Sequence, residues 1–395
     1  MAVRVTNDAL RQIRGGHPWV FDRSVTSVAH DAAPGDLAVV FDDKRRFAAV
    51  GLYDPTSPIR VRVLHHGAPT TIDEGWWLDR VQASVARRDS IEASGRTTGY
   101  RLVHGENDGF PGLVVDRYAD TLVVKAYSAA WLPHVRTVVD ALEQVVEPTR
   151  IVLRLGRSVR SGAPGLDGVA LSGQLPQEPV PFLEDGLSFE ADVVRGQKTG
   201  HFLDQRDNRV RVGRLAHGRR VLDVFACTGG FSVHAAAAGA REVLSVDQSS
   251  HALETARRNM AHNRRSAMVR TCRHDVVVGD AFETMADLGR RGRRFDVVVV
   301  DPPSFASRQA SVPSALHGYG RLTGLAVGLV EPGGILVQAS CSSRISTEDL
   351  DDTVRRAARE AGRPLEVFDR TGHPLDHPIG FPEGAYLKAI FATVP

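Results

Sequence analysis

The chain has 395 residues, 42% hydrophobic and 24% charged, too long for one ordinary domain and apolar enough to bury a core in each of two or three. Its 49 basic residues against 47 acidic ones leave a formal net charge of +2, which permits a nucleic-acid partner without demanding one. No apolar run has the length of a membrane span or the layout of a secretion signal, and Cys227, Cys272 and Cys341 lack zinc or disulfide spacing, so a cytoplasmic protein with reduced thiols is expected.

Residues 37–41, 47–52 and 59–64 are short β-favouring runs between charged and proline-containing turns, and predict a β-rich module over residues 1–75. Arg4, Arg11, Arg14, Arg23, Arg45, Arg46, Arg60 and Arg62 crowd this module. Lys44, Lys125, Lys198 and Lys388 are the only lysines of the chain, so positive charge rests on arginine, whose planar fork suits phosphate. Residues 76–91 predict a connecting helix with Leu78, Val81 and Val85 on one face. Residues 100–128 alternate strands and turns, and Glu106-Asn107-Asp108-Gly109 reads as hairpin chemistry rather than a metal site. A helix over 135–145 and a strand over 151–155 complete a small α+β unit ending near residue 190, with 162–173 as a loop.

Residues 196–209, GQKTGHFLDQRDNR, are unusually polar for a linker. A helix starting near Phe202 sets Phe202, Arg206 and Arg209 on one face with Gln205 beside them. It serves either as a cap over a cofactor or as a solvated amphipathic helix.

Residues 221–232, VLDVFACTGGFS, read as a buried strand containing Asp223, a tight turn through Ala226, Gly229 and Gly230, and the start of an alanine-rich helix. Such glycines let the backbone pass close to a ligand beside the unpaired N–H groups of a helix N-terminus. The next apolar run ends at Asp247, followed by Gln248, at the spacing where a nucleotide-binding βαβ unit sets its ribose-binding carboxylate. The turn is not G-x-G-x-x-G, so S-adenosylmethionine, with a ribose and no phosphate, fits better than a dinucleotide. Taken alone, the turn also suits a packed unit without a ligand.

Ser249 or Ser250 caps a helix running to about His262, and the arginine-rich stretch 263–274 predicts a surface loop. A strand over 276–278 leads to Asp280, placed to accept from an adenine amino group, with Phe282 nearby. The strand over 295–300 ends in Asp301-Pro302-Pro303-Ser304-Phe305. Carboxyl ends of strands are where α/β sheets gather ligands, and two prolines after an acid hold the backbone rigid where a flat substrate would lie. The strand over 335–339 delivers Cys341 to the same cleft, ahead of a helix started by Ser346 with Asp349 as its capping partner. Final strands fall near 365–368 and 387–393.

Together these segments resemble the RlmI-like family of 23S rRNA cytosine-C5 methyltransferases. The likeness rests on GGHPWVFDRSV and the β-rich stretch after it, which looks like the RNA-binding PUA barrel. It rests also on GENDGFPGLVVDRY, QKTGHFLDQRDNR, VLDVFACTGGFS, Asp247, DPPSF, SCS and DHPIGFPEGAYLKA. The resemblance implies an α/β fold: a class I methyltransferase Rossmann-like seven-stranded sheet over 191–395, preceded by a β-barrel PUA-like domain over 1–75 and a small α+β middle domain over 76–190. It implies S-adenosylmethionine held by Phe202, Gln205, Arg206, Asp223, Ala226, Gly229, Asp247, Gln248, Asp280 and Asp301. A base would lie against Pro302, Pro303 and Phe305, with Cys341 and Asp301 catalytic and no metal. Ribosomal RNA, 23S by the resemblance, is the expected partner; a membrane is not, and a homodimer is left open.

Cytosine C5 is too weakly nucleophilic to take a methyl group directly, so a thiolate at C6 is needed to make it an enamine carbon. Three other readings stand beside this one: an exocyclic-amine RNA methyltransferase, which needs no thiol, a small-molecule methyltransferase, and a non-catalytic RNA-binding ribosome-assembly factor. His377 and Glu383 suit either the cleft or a structural role.

Overall fold

Short β-branched and aromatic runs, broken by Pro, Gly and Asp turns, favour pleated, half-buried surfaces over helices, and the computed structural model, which describes every residue except His30, Asp43 and Ser307, sets them in two units. Met1–Leu183, Ala191–Leu203 and Leu375–Phe381 form the first unit; Glu184–Glu190, Asp204–Pro374 and Pro382–Pro395 form the second. Among the described residues no helix is long and apolar enough to cross a membrane.

In the first unit, β1 (Ala2–Val5), β2 (Trp19–Phe21), β3 (Val25–Val28), β4 (Leu37–Phe41), β5 (Phe47–Tyr53) and β6 (Ile59–His66) form one sheet in the order β2-β6-β5-β4-β1-β3. Only β1 and β4 run parallel. Helix α1 (Asn7–Arg14) starts where Thr6 Oγ1 accepts from Ala9 N, and buries Ala9, Leu10 and Ile13 in a core with Val3, Val40 and Val61.

A second sheet follows α2 (Glu74–Ala86) and α3 (Asp89–Ala93). Strands β7 (Gly99–His104), β8 (Leu113–Tyr118), β9 (Thr121–Ala126), β10 (Arg150–Leu155) and β11 (Val169–Ser172) lie in chain order, with α4 (Val135–Val146) crossing between the parallel pair β9 and β10. Trp77 of α2 packs 5.5 Å from Trp131 and 5.7 Å from Phe110. The expected loop over 162–173 is corrected: α5 (Arg157–Gly162) precedes it, and β11 pairs antiparallel with β10 because Val169 and Leu171 pack against this core. Residues 106–109 lie in the connection of the β7–β8 hairpin, as expected, in a 3-10 turn closed by Gly109 at φ +83°. Asp108 is buried, accepting from Arg88 Nη2 at 2.7 Å, Arg87 Nη1 at 2.8 Å and His104 N at 2.7 Å.

Strands β12 (Val180–Glu184) and β13 (Leu187–Ala191) carry the chain across the division. The second unit is a doubly wound sheet of β14 (Arg220–Val224), β15 (Glu242–Asp247), β16 (Arg273–Val278), β17 (Phe295–Val300), β18 (Val330–Ser340), β19 (Glu366–Thr371) and β20 (Lys388–Val394). Their order is β16-β15-β14-β17-β18-β20-β19, with β20 alone antiparallel to its neighbours. Helices α6 (Arg206–Arg214), α7 (Gly230–Ala237), α8 (Ser250–His262), α9 (Ala267–Thr271), α10 (Ala281–Arg290), α11 (Val312–Leu329) and α12 (Thr347–Glu360) complete it. The order reverses between β14 and β17, which opens a crevice at their carboxyl ends.

Two expectations fail locally in this unit. Residues 263–274 are not all surface loop, since Val269 anchors the short α9 and β16 begins at Arg273. Helical backbone starts near Phe202 as expected, a 3-10 turn over Leu203–Gln205 running into α6, but the helix is not solvated: Arg206, Asn208 and Arg209 are buried. The capping box of α12 forms, with Ser346 Oγ accepting from Asp349 N at 2.9 Å.

Candidate active site

The turn leaving β14 is strained. Phe225 has φ +64°, Cys227 +48° and Gly229 +77°, a density of left-handed residues that persists only where the surroundings over-determine it. Beneath it lies wholly buried Asp223, whose Oδ2 accepts from Ser232 N at 3.1 Å and Ser232 Oγ at 2.6 Å, so the strand is tied to the first turn of α7. Burial pushes its carboxyl from 3.8 up to about 6, against the Ser232 bonds that lower it. Asp223 therefore supports the turn from below rather than lining an open face.

Both glycines have steric reasons. A Cβ at Gly229 would sit 2.7 Å from Ala256 Cβ on α8, and one at Gly230 would sit 2.3 Å from Arg209 Nε. Arg209 cannot give way, because both oxygens of buried Glu184 hold its Nη1 at 2.8 and 3.0 Å, and His234 of α7 shares that carboxylate at 3.0 Å. The two glycines thus let α8 and Arg209 approach the backbone closely just where α7 begins.

Asp247, at the carboxyl end of β15, has Oδ2 accepting from Cys227 N and Oδ1 from Ser249 N, both at 2.9 Å. The turn fixes this half-buried carboxylate and leaves it lone pairs for vicinal hydroxyls. Ala226 is held by its N–H to Val246 O at 3.0 Å, and Gln248 is exposed. Asp280 is exposed too, but its Oδ1 caps α10 by accepting from Phe282 N at 2.9 Å and Glu283 N at 3.1 Å, leaving Oδ2 to face outward contacts.

The structure brings Gln205 to Asp301 rather than presenting it alone. Gln205 Nε2 donates to Asp301 Oδ1 at 2.9 Å, Asn208 Nδ2 to Gln205 Oε1 at 2.6 Å, and Thr371 Oγ1 to Asn208 Oδ1 at 2.5 Å. This relay runs from α6 and β19 to the Asp-Pro-Pro segment. Arg206 is buried, with Nε 3.1 Å from Asp207 Oδ1. Phe202 belongs to the first unit, where Lys198 Nζ lies 4.0 Å over its ring, and His377 belongs there as well, 4.9 Å from the His104 ring.

The thiol stands on the neighbouring strand. Cys341, half-buried just beyond β18, directs Sγ to Pro302 O at 3.8 Å. Pro302 is buried, Pro303 exposed, and Phe305 packs 5.1 Å from the Tyr319 ring, over Gly318. Tyr319 OH shares a 2.9 Å bond with Ser340 Oγ, and burial raises its phenol well above the ordinary range. Burial pushes the Cys227 and Cys272 thiols up to about 11 each, away from the thiolate form.

Sequence reasoning missed Lys388. It pairs in register with Ser340, and its buried Nζ donates to Ser342 O at 2.6 Å and Ile345 O at 2.5 Å, bracketing the loop that carries Cys341. Burial pushes its ammonium down to about 8, with Cys341 opposing that shift. The available signal was a lysine inside an apolar strand of an arginine-rich chain.

A reversed parallel sheet, a glycine turn against a helix N-terminus and a fixed carboxylate at the next strand end suit a methionine-bearing nucleoside, and they define a class I S-adenosylmethionine-dependent methyltransferase. Residues 101–392 match the family described as S-adenosylmethionine-dependent methyltransferase, and residues 3–66 match the PUA-like domain. The chain is 46% identical, over 99% of its length and 97% of the relative's, to the ribosomal RNA large subunit methyltransferase of Deinococcus radiodurans. It is 36% identical to ribosomal RNA large subunit methyltransferase I of Photobacterium profundum, over 97% of each chain. The fold matches that of SMU.776 crystallised with SAH, at a TM-score of 0.85 and 23% identity over 100% of both chains. The chain belongs to the RlmI-like family of ribosomal RNA large subunit methyltransferases.

Proposed function

We propose that this protein is a cytoplasmic enzyme that methylates C5 of a cytosine in large-subunit ribosomal RNA, 23S in kind, through a transient Cys341 adduct. The observation that carries this reading is the Cys341 thiol, 3.8 Å from the carbonyl of Pro302 in the Asp-Pro-Pro segment, so that a nucleophile and a rigid seat for a flat base lie side by side at the carboxyl ends of neighbouring parallel strands. The names of the relatives support the RNA class.

Gly229, the turn backbone and Asp247 would hold the cofactor, with Gln248 and Asp280 at its outer edge and Gln205 and Arg206 at the start of α6 beside it. Asp223 would position the turn. When bound, S-adenosylmethionine supplies an electrophilic methyl group on a sulfonium. The base would enter over Pro302, Pro303 and Phe305 after leaving its stack, at a cost of a few kcal/mol. Cys341 Sγ, as thiolate, forms a bond to C6, and the C5–C6 π electrons become available at C5. Asp301, oriented by Gln205, would accept from the cytosine amino group or, as the protonated carboxyl, donate to N3, where negative charge grows. Once C5 carries the methyl group, a base takes the C5 proton, and the electron pair of that C–H bond re-forms the C5–C6 double bond and expels the thiolate. Lys388 holds the Cys341 loop and places a cation beside the thiolate.

Transcripts carrying 5-fluorocytidine test this reading, because fluorine at C5 cannot leave as a proton. Wild-type protein should form a denaturant-stable RNA adduct in the presence of cofactor, and Cys341→Ala should form none. Methylation of an adenine or guanine amino group with no adduct would instead favour exocyclic-amine chemistry.

A further inference from the structure

The first unit carries a cavity of about 390 Å³ that the methyl-transfer chemistry does not use, lined among others by Pro18, His65, His66, Arg80, Arg87 and Glu106. Its carboxylates are already neutralised. Glu106 Oε1 accepts from Trp19 Nε1 at 2.8 Å and lies 3.6 Å from Arg62 Nη1, while Asp108 is enclosed by Arg87 and Arg88. Arg80 is different. Its guanidinium lies 4.7 Å over the Trp76 ring, and among the described residues it forms no ion pair, the Asp79 carboxylate acting on it only through space and less than Arg87 does. Burial, and then the neighbouring charge of Arg87, push Arg80 below its ordinary range. Gly109, at φ +83°, leaves the space its fork occupies, since a Cβ there would stand 3.2 Å from Arg80 Nη1. Two half-satisfied cations facing one concavity form a seat for an anion.

An aromatic edge adjoins that seat. β2 is the edge strand of its sheet, and Trp19 and Phe21 project from the same face, 6.2 Å apart. Trp19 is clasped by His17 and Phe381 at 5.8 and 5.0 Å, and its indole N–H reaches Glu106 on the cavity wall. Phe21 stays 41% exposed. Cationic concavity beside an open aromatic ring is the composition that holds single-stranded nucleic acid, the phosphate on the charge and a base on the ring.

We propose that this pocket seats a single-stranded segment of the substrate RNA, Arg80 receiving a phosphodiester and Phe21 stacking one base. The proposal rests on the reading that RNA is the substrate.

The test uses the full-length protein and a fluorescein-labelled single-stranded 12-mer RNA, with affinity measured across a salt series. Arg80→Gln should weaken binding about five- to tenfold and lower the slope of log K against log salt by roughly 0.7. Arg80→Lys should restore the slope, which a structural role for the guanidinium would not predict. Phe21→Ala should weaken binding tenfold or more, on the order of one base stack, with the slope unchanged. Both weakened variants should raise KM for RNA more than they lower kcat, with S-adenosylmethionine affinity as in the wild type. If wild-type protein methylates ribosomal RNA while Arg80→Gln binds the 12-mer with unchanged affinity and slope, the seat is wrong and the substrate reading stands. Inorganic phosphate that competes as well as the 12-mer would make it a small-anion site and overturn the proposal, and wild-type protein that binds no RNA overturns both readings.

Discussion

Gly229→Ala probes the cofactor turn with two separable costs. The residue sits at φ +77°, where an alanine Cβ crowds its own carbonyl at about 1–2 kcal/mol. The new methyl would also stand 2.7 Å from Ala256 Cβ and 3.2 Å from Ala256 Cα. Ala256 is wholly buried in α8, so backbone must move, at a further 1–3 kcal/mol or so. Gly292, at φ +67° with nothing within 4 Å, isolates the first cost. Gly292→Ala should lower stability by about 1–2 kcal/mol and Gly229→Ala by about 2–5 kcal/mol, read by urea denaturation. A turn that relaxes to escape the clash must be restored on binding, so S-adenosylmethionine should bind Gly229→Ala at least tenfold more weakly by calorimetry, about 1.4 kcal/mol, and Gly292→Ala normally. Equal stability losses in the two variants, or cofactor affinity within twofold of wild type in Gly229→Ala, would refute the steric argument.

Two more perturbations address the site. The Asp223 carboxyl is raised in the folded state from 3.8 to about 6, so folding is favoured below 3.8 and that contribution is lost as pH rises through about 6. Wild-type stability should therefore fall by about 1 kcal/mol more than that of Asp223→Asn between about pH 5 and 7.5, and parallel curves would show that burial does not perturb this group. Lys388→Met removes the cation and both bonds to the Cys341 loop; kcat should fall about tenfold or more, with the acidic limb of the pH–rate profile moved upward and cofactor affinity kept. A profile that does not move would reduce Lys388 to a packing role.

What could be read from the sequence was what is local. Strand, turn and helix over 221–232 follow from a short apolar run, two glycines and an alanine-rich segment, and the Ser346–Asp349 box needs three residues of spacing. What escaped was non-local or small. Polar density around 196–209 was visible, but not that Glu184 and His234 would bury Arg209 beneath Gly230. Val169 and Leu171 gave too short an alternation to announce β11, and Val269 was hidden among arginines. The sequence places Gln205 beside a cofactor but does not show that it bonds Asp301, far away in sequence, where the turn before α6 and the segment after β17 come together. Lys388 required knowing which strand would lie beside Ser340.

The central claim is tested most directly by incubating the protein with methyl-labelled S-adenosylmethionine and unmodified ribosomal RNA, then identifying the labelled nucleoside by mass spectrometry. Label in 5-methylcytidine that disappears in Cys341→Ala, with cofactor binding retained, is the predicted result; label on an exocyclic amine, or near-normal turnover in Cys341→Ala, would contradict it.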